Sequence, residues 1–272
     1  MGDLETVANE VIQKHLKDPF DYEKVQFEVL STIRYDPVLY SGSLSLPEAL
    51  VCSPLDQSFF LFLDYHVDRL NETAEFFELP AQKLNSSLLA AQLSQALYDK
   101  DVYQAHKMRY LLNKDGQVEI QAVPIASSLN LDINCPPTWT LYLDSEPTII
   151  SPFTSFKSTY RSHYTEARKR KIPPGAENAD VVLFNHADQI TETSICNIAV
   201  LRNDKNPLTG EINTRWTTPP LSSGCLCGVT RRYLLEKGLI SEGVIMKNSI
   251  KDGEQVLIFN GIMGVAKAVI KL

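Results

Sequence analysis

The sequence has few residues of the kinds that build disulfide or metal frameworks. It contains five cysteines and five histidines in 272 residues. The cysteines are odd in number and dispersed, so a disulfide framework is not expected. Cys225 and Cys227 are too closely spaced for a zinc knuckle, and the histidines form no HExxH pair. The sequence therefore predicts no metal site.

Long apolar runs and an excess of positive charge are also missing. No stretch approaches the ~20 apolar residues that a membrane span needs. The acidic start, residues 1–5, lacks the basic region and apolar run of a signal peptide. The formal net charge is −7, whereas a nucleic-acid binder needs a basic face to neutralise phosphates. We therefore expect a cytoplasmic protein that binds neither membranes nor nucleic acids, although a local basic pocket for a small anion is compatible with this charge.

What remains is the composition of an ordinary folded protein. Apolar side chains make up 44% of the residues and charged side chains 22%, which argues against disorder and collagen. At about 100–200 residues per domain, this length allows one large domain or two modest ones. Prolines 136, 137, 147 and 152 mark the expected interdomain connection over residues 136–152, with a short strand expected over 138–143 between them. We therefore expect an N-terminal domain over residues 1–135 and a larger C-terminal domain over residues 153–272.

Hydrophobic periodicity predicts strands and helices in both parts. In the N-terminal part, a strand-like run over 25–35 precedes two amphipathic helices over 67–77 and 84–97. Two further strand-like runs, 103–112 and 117–123, are joined at Asp115-Gly116, which favours a hairpin turn. The elements expected in the C-terminal part are a helix over 158–170, strands over 180–184, 190–200 and 215–218, a polar turn region over 203–210, a helix over 228–237 closed by Gly238, and strands over 255–259 and 265–272.

Four motifs carry the candidate chemistry. They are HVDRL from His66, KSTYR from Lys157, ETSICN from Glu192 and GCLCGVTR from Gly224. In this order they resemble the fold-type IV pyridoxal-phosphate enzymes, the group that contains branched-chain aminotransferases, D-amino-acid aminotransferases and aminodeoxychorismate lyases. The resemblance implies a two-domain α+β fold, with a small α/β N-terminal domain and a larger β-rich C-terminal domain that binds the cofactor. It also implies pyridoxal 5'-phosphate as the cofactor and a homodimer with its site near the domain cleft.

The resemblance gives the two central roles to Lys157 and Glu192. The family's lysine forms a Schiff base with the cofactor aldehyde and later shuttles a proton, and a desolvated lysine has a pKa low enough for both tasks. The family's glutamate bonds the pyridine nitrogen, so that the ring can accept electrons when a substrate proton leaves. The alternative is that Lys157 faces solvent at a helix start and Glu192 points outward from its strand.

The resemblance places the cofactor phosphate at the start of the last helix. There Gly228-Val229-Thr230 offers free backbone N–H groups, the positive end of the helix dipole and the Thr230 hydroxyl. The family's phosphate-binding arginine matches Arg69, whose guanidinium can bind two phosphate oxygens. Asn260-Gly261 matches the last phosphate-side loop, but lacks the hydroxyl that aminotransferases often have there, which leaves backbone donors. A plain helix start and a surface position for Arg69 are the alternatives.

The spacing Lys157-x-x-x-Arg161 resembles the aminodeoxychorismate lyases more than the branched-chain aminotransferases. In those lyases, removal of a substrate proton leads to aromatisation of the ring and loss of pyruvate. A substrate with two carboxylates needs cationic partners away from the phosphate. Lys107 and Arg109 share one strand face at i, i+2 and are candidates for this role, as is Arg34. The alternative is that Lys107 and Arg109 lie on a charged face of the strand that is exposed to solvent and binds no substrate.

Three functions follow from these observations. We expect a pyridoxal-phosphate-dependent lyase that converts 4-amino-4-deoxychorismate, its small amino substrate, to pyruvate and 4-aminobenzoate, a folate precursor. A branched-chain or D-amino-acid aminotransferase is the alternative, because the same cofactor supports both reactions. A non-catalytic relative is the third hypothesis, because the Gly-Asp-x-Gly stretch common before the first strand of the family is missing.

Overall fold

The structure, a computed structural model, describes residues 24–205 and 212–272. The polar turn region expected over 203–210 therefore lies mostly outside the described residues. The helices are α1 (Leu46–Leu50), α2 (Leu63–Phe76), α3 (Ser86–Ala96), α4 (Pro152–Ser155), α5 (Ser162–Lys171) and α6 (Val229–Glu236). The strands are β1 (Val29–Tyr35), β2 (His106–Leu112), β3 (Val118–Pro124), β4 (Pro137–Leu143), β5 (Ala179–Phe184), β6 (Ile190–Thr193), β7 (Asn197–Lys205), β8 (Ile212–Thr218), β9 (Ser241–Glu242), β10 (Gln255–Asn260) and β11 (Gly264–Lys271).

A small antiparallel sheet and two helices form the N-terminal part. The sheet has the order β1-β2-β3, and β2 and β3 form the hairpin predicted at Asp115-Gly116. Gly116 has a φ of +78°, the left-handed conformation that such a turn requires. Helix α2 buries Val67 and Leu70 on the stripe expected from its periodicity, and α3 buries Leu89 and Leu93. The sheet and the helices therefore enclose one apolar core.

A larger mixed sheet organises the C-terminal part. Its strand order is β6-β5-β4-β11-β10-β7-β8-β9, with parallel pairing of β4 with β5 and with β11. The central strand β10 is buried from Val256 to Phe259 because it has a neighbour on each side and is covered on both faces. The α+β class predicted from the sequence is confirmed by these two sheets with their helices.

Two elements differ from their predicted bounds. The helix expected over 158–170 begins only at Ser162, because the residues before it pair with β1 through a bridge between Val29 and Ser158. The strand expected over 190–200 is divided into β6 and β7, which lie in different parts of the large sheet. A turn in which Thr193 and Cys196 exchange hydrogen bonds separates them. Periodicity does not reveal this turn, because the residues on both of its sides are buried.

The residues between the two parts of the chain do not all form a connection. Strand β4 occupies residues 137–143 and lies inside the large sheet, where Leu141 is fully buried. The proline-rich segment expected over 136–152 therefore contributes a strand to the C-terminal sheet. The domain bounds 1–135 and 153–272 stay predictions.

Candidate active site

A cavity of about 440 Å³ is lined by residues of both sheets. Its charged lining residues are Arg69, Lys107, Arg109, Lys157, Arg161 and Glu192. Five of these six side chains are basic, although the whole chain carries a net charge of −7. A concave surface with this charge attracts anionic ligands. The local basic pocket that the composition left open is therefore present.

The segment that carries Lys157 extends the small sheet. The Lys157 carbonyl accepts a hydrogen bond from Leu30 N at 2.9 Å, and Thr159 N donates to the Glu28 carbonyl at 2.9 Å. The Thr159 hydroxyl accepts a further bond from Glu28 N at 2.9 Å. These three bonds fix the backbone on both sides of the lysine. Lys157 belongs to the C-terminal part by sequence, but β1 determines its position.

The Lys157 amine lies at the cavity, close to other positive charges. Burial, together with the guanidinium groups of Arg69 and Arg161, lowers the pKa of Lys157 to about 7. The Glu192 carboxylate acts in the opposite direction, but more weakly. A substantial fraction of the amine is therefore unprotonated at neutral pH, the state in which it can attack a carbonyl or accept a proton. The solvent-facing alternative for Lys157 does not describe this position.

Glu192 is a buried carboxylate held by three hydrogen bonds. It lies on β6 with 4% of its surface exposed. The Tyr164 hydroxyl donates to Oε1 at 2.5 Å, while Leu226 N and Asn197 Nδ2 donate to Oε2 at 3.2 and 3.3 Å. Burial raises the pKa of Glu192 to about 7, and the bonds from Tyr164 and Leu226 oppose that rise. The carboxyl is therefore fixed in orientation and able to change its protonation state near neutral pH.

Arg69 is a buried cation on the inner face of α2. Its Nη2 donates to the Ser31 hydroxyl at 3.0 Å and lies 3.3 Å from His66 Nδ1. Burial lowers the pKa of Arg69 to about 10, so the side chain stays charged at neutral pH. Among the described residues, no carboxylate forms an ion pair with it. A buried charge without a partner is costly, so this position favours an anionic ligand.

The N-terminus of α6 lies beside this arginine. Gly228 caps the helix, and the carbonyl of Cys227 lies 3.5 Å from Arg69 Nη1. Val229 lines the cavity at the first helical turn, whereas Thr230 is not a lining residue. The Thr230 hydroxyl is buried and has no hydrogen-bond partner among the described residues. Free backbone N–H groups, a positive helix end and an unused hydroxyl together make a site for a phosphate.

Two glycines allow the backbone to come close at this end of the cavity. A Cβ on Gly228 would lie 1.9 Å from Asn197 Oδ1, which no side chain can tolerate. A Cβ on Gly261 would lie 3.0 Å from Val229 Cγ2 and 3.5 Å from His66 Nε2. The side-chain oxygen of Asn260, Oδ1, accepts hydrogen bonds from Ile262 N and Met263 N at 2.9 and 3.0 Å. The Asn260 side chain therefore stabilises the turn that follows it. Because Gly261 has no side chain, its backbone N–H can be reached from the cavity.

The residues predicted to bind a substrate separate into two groups. Lys107 and Arg109 both line the cavity from β2, as their i, i+2 spacing requires. Arg109 is oriented by a bond from its Nη1 to Gln121 Oε1 at 2.8 Å. Arg34, in contrast, is 1% exposed and is not part of the lining.

The expectation for Arg34 is corrected by its contacts. Its guanidinium bonds Asp36 Oδ2 from Nε at 2.8 Å, the Ile262 carbonyl at 2.8 Å and the Ser127 carbonyl at 2.7 Å. These bonds use the donors of the guanidinium and join β1 to two loops. Arg34 is therefore a structural residue. It shares a face of β1 with the cavity-lining residues Leu30 and Thr32, but its guanidinium is bound by these other partners.

Sequence reasoning missed three residues that the structure brings to the cavity. His66 lies three positions before Arg69, so both share one face of α2, and its Nδ1 lies 2.7 Å from the Ser31 hydroxyl. Arg161 and Tyr164 lie at the start of α5. His66 could have been predicted from its spacing of three residues to Arg69, and Arg161 from its place in the KSTYR motif. Tyr164 had no signal, because the expected helix began too early.

Comparison with known proteins identifies the family. The family model described as amino-transferase class IV matches residues 54–269, which include Arg69, Lys157 and Glu192. The chain belongs to the class IV aminotransferase family. As the resemblance implied, the fold is that of a fold-type IV enzyme.

Individual relatives agree with this placement. The "Aminodeoxychorismate lyase" of Saccharomyces cerevisiae is 34% identical over 200 residues, which cover 62% of this chain and 52% of that protein. This chain thus matches about half the length of that relative. The "Putative aminodeoxychorismate lyase" of Schizosaccharomyces pombe is 33% identical over 222 residues, 79% of this chain and 86% of that protein. The crystal structure of a branched-chain aminotransferase from Thermoproteus uzoniensis has a TM-score of 0.64 at 17% identity and covers 90% of this chain and 78% of that one. It shows the shared fold.

Class IV aminotransferases use pyridoxal 5'-phosphate, and the cavity fits that group. The buried Thr230 hydroxyl and His66 Nε2 are both left without hydrogen-bond partners among the described residues. Arg69 and the start of α6 suit a phosphate, Lys157 suits an aldehyde, and Glu192 suits a protonated ring nitrogen.

Over the described ranges, no cluster of three or more histidine, cysteine, aspartate or glutamate side chains forms a metal site, and none of the helices there could cross a bilayer.

Proposed function

We propose that this class IV protein is a lyase that converts 4-amino-4-deoxychorismate to 4-aminobenzoate and pyruvate, with pyridoxal 5'-phosphate as cofactor. The observation that carries the proposal is the basic cavity, in which a lysine of lowered pKa faces a buried carboxylate. Two relatives whose names contain aminodeoxychorismate lyase support the choice of reaction. The KSTYR motif supports it as well, through the spacing of Lys157 and Arg161.

The residues would hold the cofactor at three places. Arg69 and the backbone N–H groups of Val229 and Gly261 would bind the phosphate, with the Thr230 hydroxyl as a further donor. Lys157 would hold the aldehyde covalently. Glu192 would accept a hydrogen bond from the ring nitrogen and keep it protonated. When bound, the cofactor withdraws electrons from the carbon that bears the substrate amino group.

Proton transfer is the task of Lys157. With its pKa near 7, the free amine can remove the proton from the ring carbon that bears the amino group. The electron pair released from this carbon forms the third double bond of the ring as the bond between the neighbouring ring carbon and the ether oxygen breaks. Enolpyruvate leaves and takes up a proton to become pyruvate, and the ring is then aromatic. The Tyr164 hydroxyl holds Glu192 during this step through its bond to Oε1. Lys107 and Arg109 would bind a substrate carboxylate on the side of the small sheet.

Release of pyruvate tests this proposal. Purified protein loaded with pyridoxal phosphate is given 4-amino-4-deoxychorismate, and pyruvate is followed by coupling to lactate dehydrogenase. We expect pyruvate without any added oxo-acid, and none from the Lys157→Ala variant. Lys169→Ala is the matched control, because this helix α5 lysine is 68% exposed and pairs with Glu166. Turnover that depends on 2-oxoglutarate would instead indicate an aminotransferase, and a protein that takes up no cofactor would indicate the non-catalytic relative.

The remaining expectations from the resemblance stay predictions. They are the homodimer, the cytoplasmic location, the absence of nucleic-acid partners and the domain bounds. Size-exclusion chromatography with light scattering measures the first of them. A mass of about 61 kDa, twice the 30.5 kDa chain, would support the dimer.

A further inference from the structure

Arg161 is a cavity residue to which no ligand has been assigned above. It occupies the N-cap position of α5 and lines the cavity. Its Nη2 donates a hydrogen bond to the Ser194 carbonyl, and its Cζ lies 4.6 Å from the centroid of the Tyr164 ring. A hydrogen bond and a cation–π contact therefore hold the guanidinium in one place. Such a group loses little entropy when it binds a ligand.

No carboxylate of residues 24–205 or 212–272 forms an ion pair with Arg161. The bond to Ser194 uses one of its five N–H donors, and the described residues accept no other hydrogen bond from it. A second anchored arginine, Arg168, differs clearly, because it pairs with the buried Asp180 at 2.9 Å. Arg161 thus offers several donors to the cavity.

Arg161 and the pair Lys107 and Arg109 belong to different parts of the fold. The pair lies on β2 of the small sheet, whereas Arg161 lies on the helix that packs against β5 of the large sheet. Arg69, near the start of α6, is a third position. The cavity therefore has cationic groups on the small sheet and on the helix that packs against the large sheet, in addition to the proposed phosphate site. One carboxylate would leave one of these groups unpaired.

We propose that Arg161 binds a second carboxylate and thereby selects amino substrates with two carboxylates over those with one. The inference rests on the proposed function, since it assigns the second acidic group of the lyase substrate. Guanidinium and carboxylate form paired, charge-assisted hydrogen bonds. A substrate with a single carboxylate would gain nothing from Arg161 and would leave its charge uncompensated.

Binding of two unreactive ring acids to the cofactor-loaded enzyme tests the proposal. Isophthalate carries two carboxylates and benzoate one, and calorimetry measures both affinities. Because a hydrogen bond between charged groups contributes roughly 1.5–3 kcal/mol, we expect wild-type enzyme to bind isophthalate about tenfold or more tightly than benzoate. Arg161→Gln should remove most of that preference and change benzoate affinity less than about twofold. Arg161→Lys should retain part of it.

The control is Lys169→Gln, which removes an exposed positive charge from the same helix. It should keep the wild-type preference. Equal affinity of the wild-type enzyme for both acids would overturn the proposal, whether or not the variants fold. So would an Arg161→Gln variant that weakens both acids equally, because Arg161 would then act through the cavity's general charge or shape.

The two proposals fail separately in these experiments. Neither acid reacts, so a preference for isophthalate that depends on Arg161 stands even if no pyruvate is released from 4-amino-4-deoxychorismate. In that case the proposed reaction is wrong and the specificity for two carboxylates is right. If pyruvate is released but isophthalate is not preferred over benzoate, the proposed reaction is right and the role of Arg161 is wrong.

Discussion

The lowered pKa of Lys157 predicts that this lysine, the proposed catalytic group, destabilises the folded protein. The pKa falls from 10.5 to about 7 on folding, mainly because the amine is buried. Between these values the unfolded chain binds more protons than the folded protein, so the free energy of unfolding must rise with pH. For a single group with this shift, the rise from pH 7 to pH 9 is about 2 kcal/mol. The cavity is open to solvent, so we expect about 1–2 kcal/mol.

Lys157→Met removes the titrating group and keeps an unbranched apolar chain. The cofactor-free variant should be more stable than the cofactor-free wild type at pH 7, and the difference should shrink as the pH approaches 9. Loss of the attraction between Lys157 and Glu192 reduces the gain but does not reverse its pH dependence. Other titrating groups, such as Glu192, are common to both proteins, so the difference between them isolates the lysine.

Urea unfolding followed by tryptophan fluorescence measures this difference. Trp139 and Trp216 lie on β4 and β8 and report on the large sheet. Lys169→Met is the matched control and should follow the wild type at every pH, because this lysine is exposed. If the wild type and Lys157→Met show parallel stability between pH 7 and pH 9, the lysine is not desolvated and the argument for its reactivity is wrong.

Two further predictions concern hydrogen-bonded groups near the cavity. Tyr164→Phe removes a donor to the Glu192 carboxylate and raises its pKa, so the acid limb of the kcat/KM profile should move upward by about one to two pH units. Tyr160→Phe, at a ring that is 37% exposed, should leave the limb in place, and an unmoved limb in Tyr164→Phe would contradict the role of the bond. Arg34→Met should lower the free energy of unfolding by about 3–5 kcal/mol in urea titrations, because it leaves Asp36 buried without its ion pair. The double variant with Asp36→Asn should lose less than the sum of the losses in the two single variants, and a loss equal to that sum would show that the pair is not coupled.

Local sequence signals predicted most elements of the fold. Helix α6 was predicted within about a residue at each end, since Gly228 and Gly238 mark its limits and Gly238 has the expected positive φ. The hairpin at Gly116 was predicted for the same reason. The errors lie where the chain makes distant contacts. Residues 158 and 159 were predicted to be helical but pair with β1 instead, and no local pattern reveals a partner about 130 positions away.

The candidate site follows the same division. Linear motifs singled out Lys157, Glu192 and Arg69, and strand periodicity singled out Lys107 and Arg109. The structure brings all five to one cavity, and their roles stay predictions. Arg34 was misplaced because a basic residue on a strand has no sequence feature that distinguishes a cavity from a buried ion pair with Asp36. Tyr164 and its bond to Glu192 depend on how α5 packs beside β6, which is a tertiary property.

The backbone bonds between the lysine segment and β1 have a consequence for how such proteins can be recombined. Because Leu30 and Glu28 fix the position of Lys157 and Thr159, neither half of the molecule contains a complete reactive centre. In a chimaera that joins one half of this chain to the other half of a relative, the lysine and the strand that positions it come from different proteins. We therefore expect substitutions at residues 28–30 and 157–159 to affect each other, and a chimaera should keep both segments from the same parent.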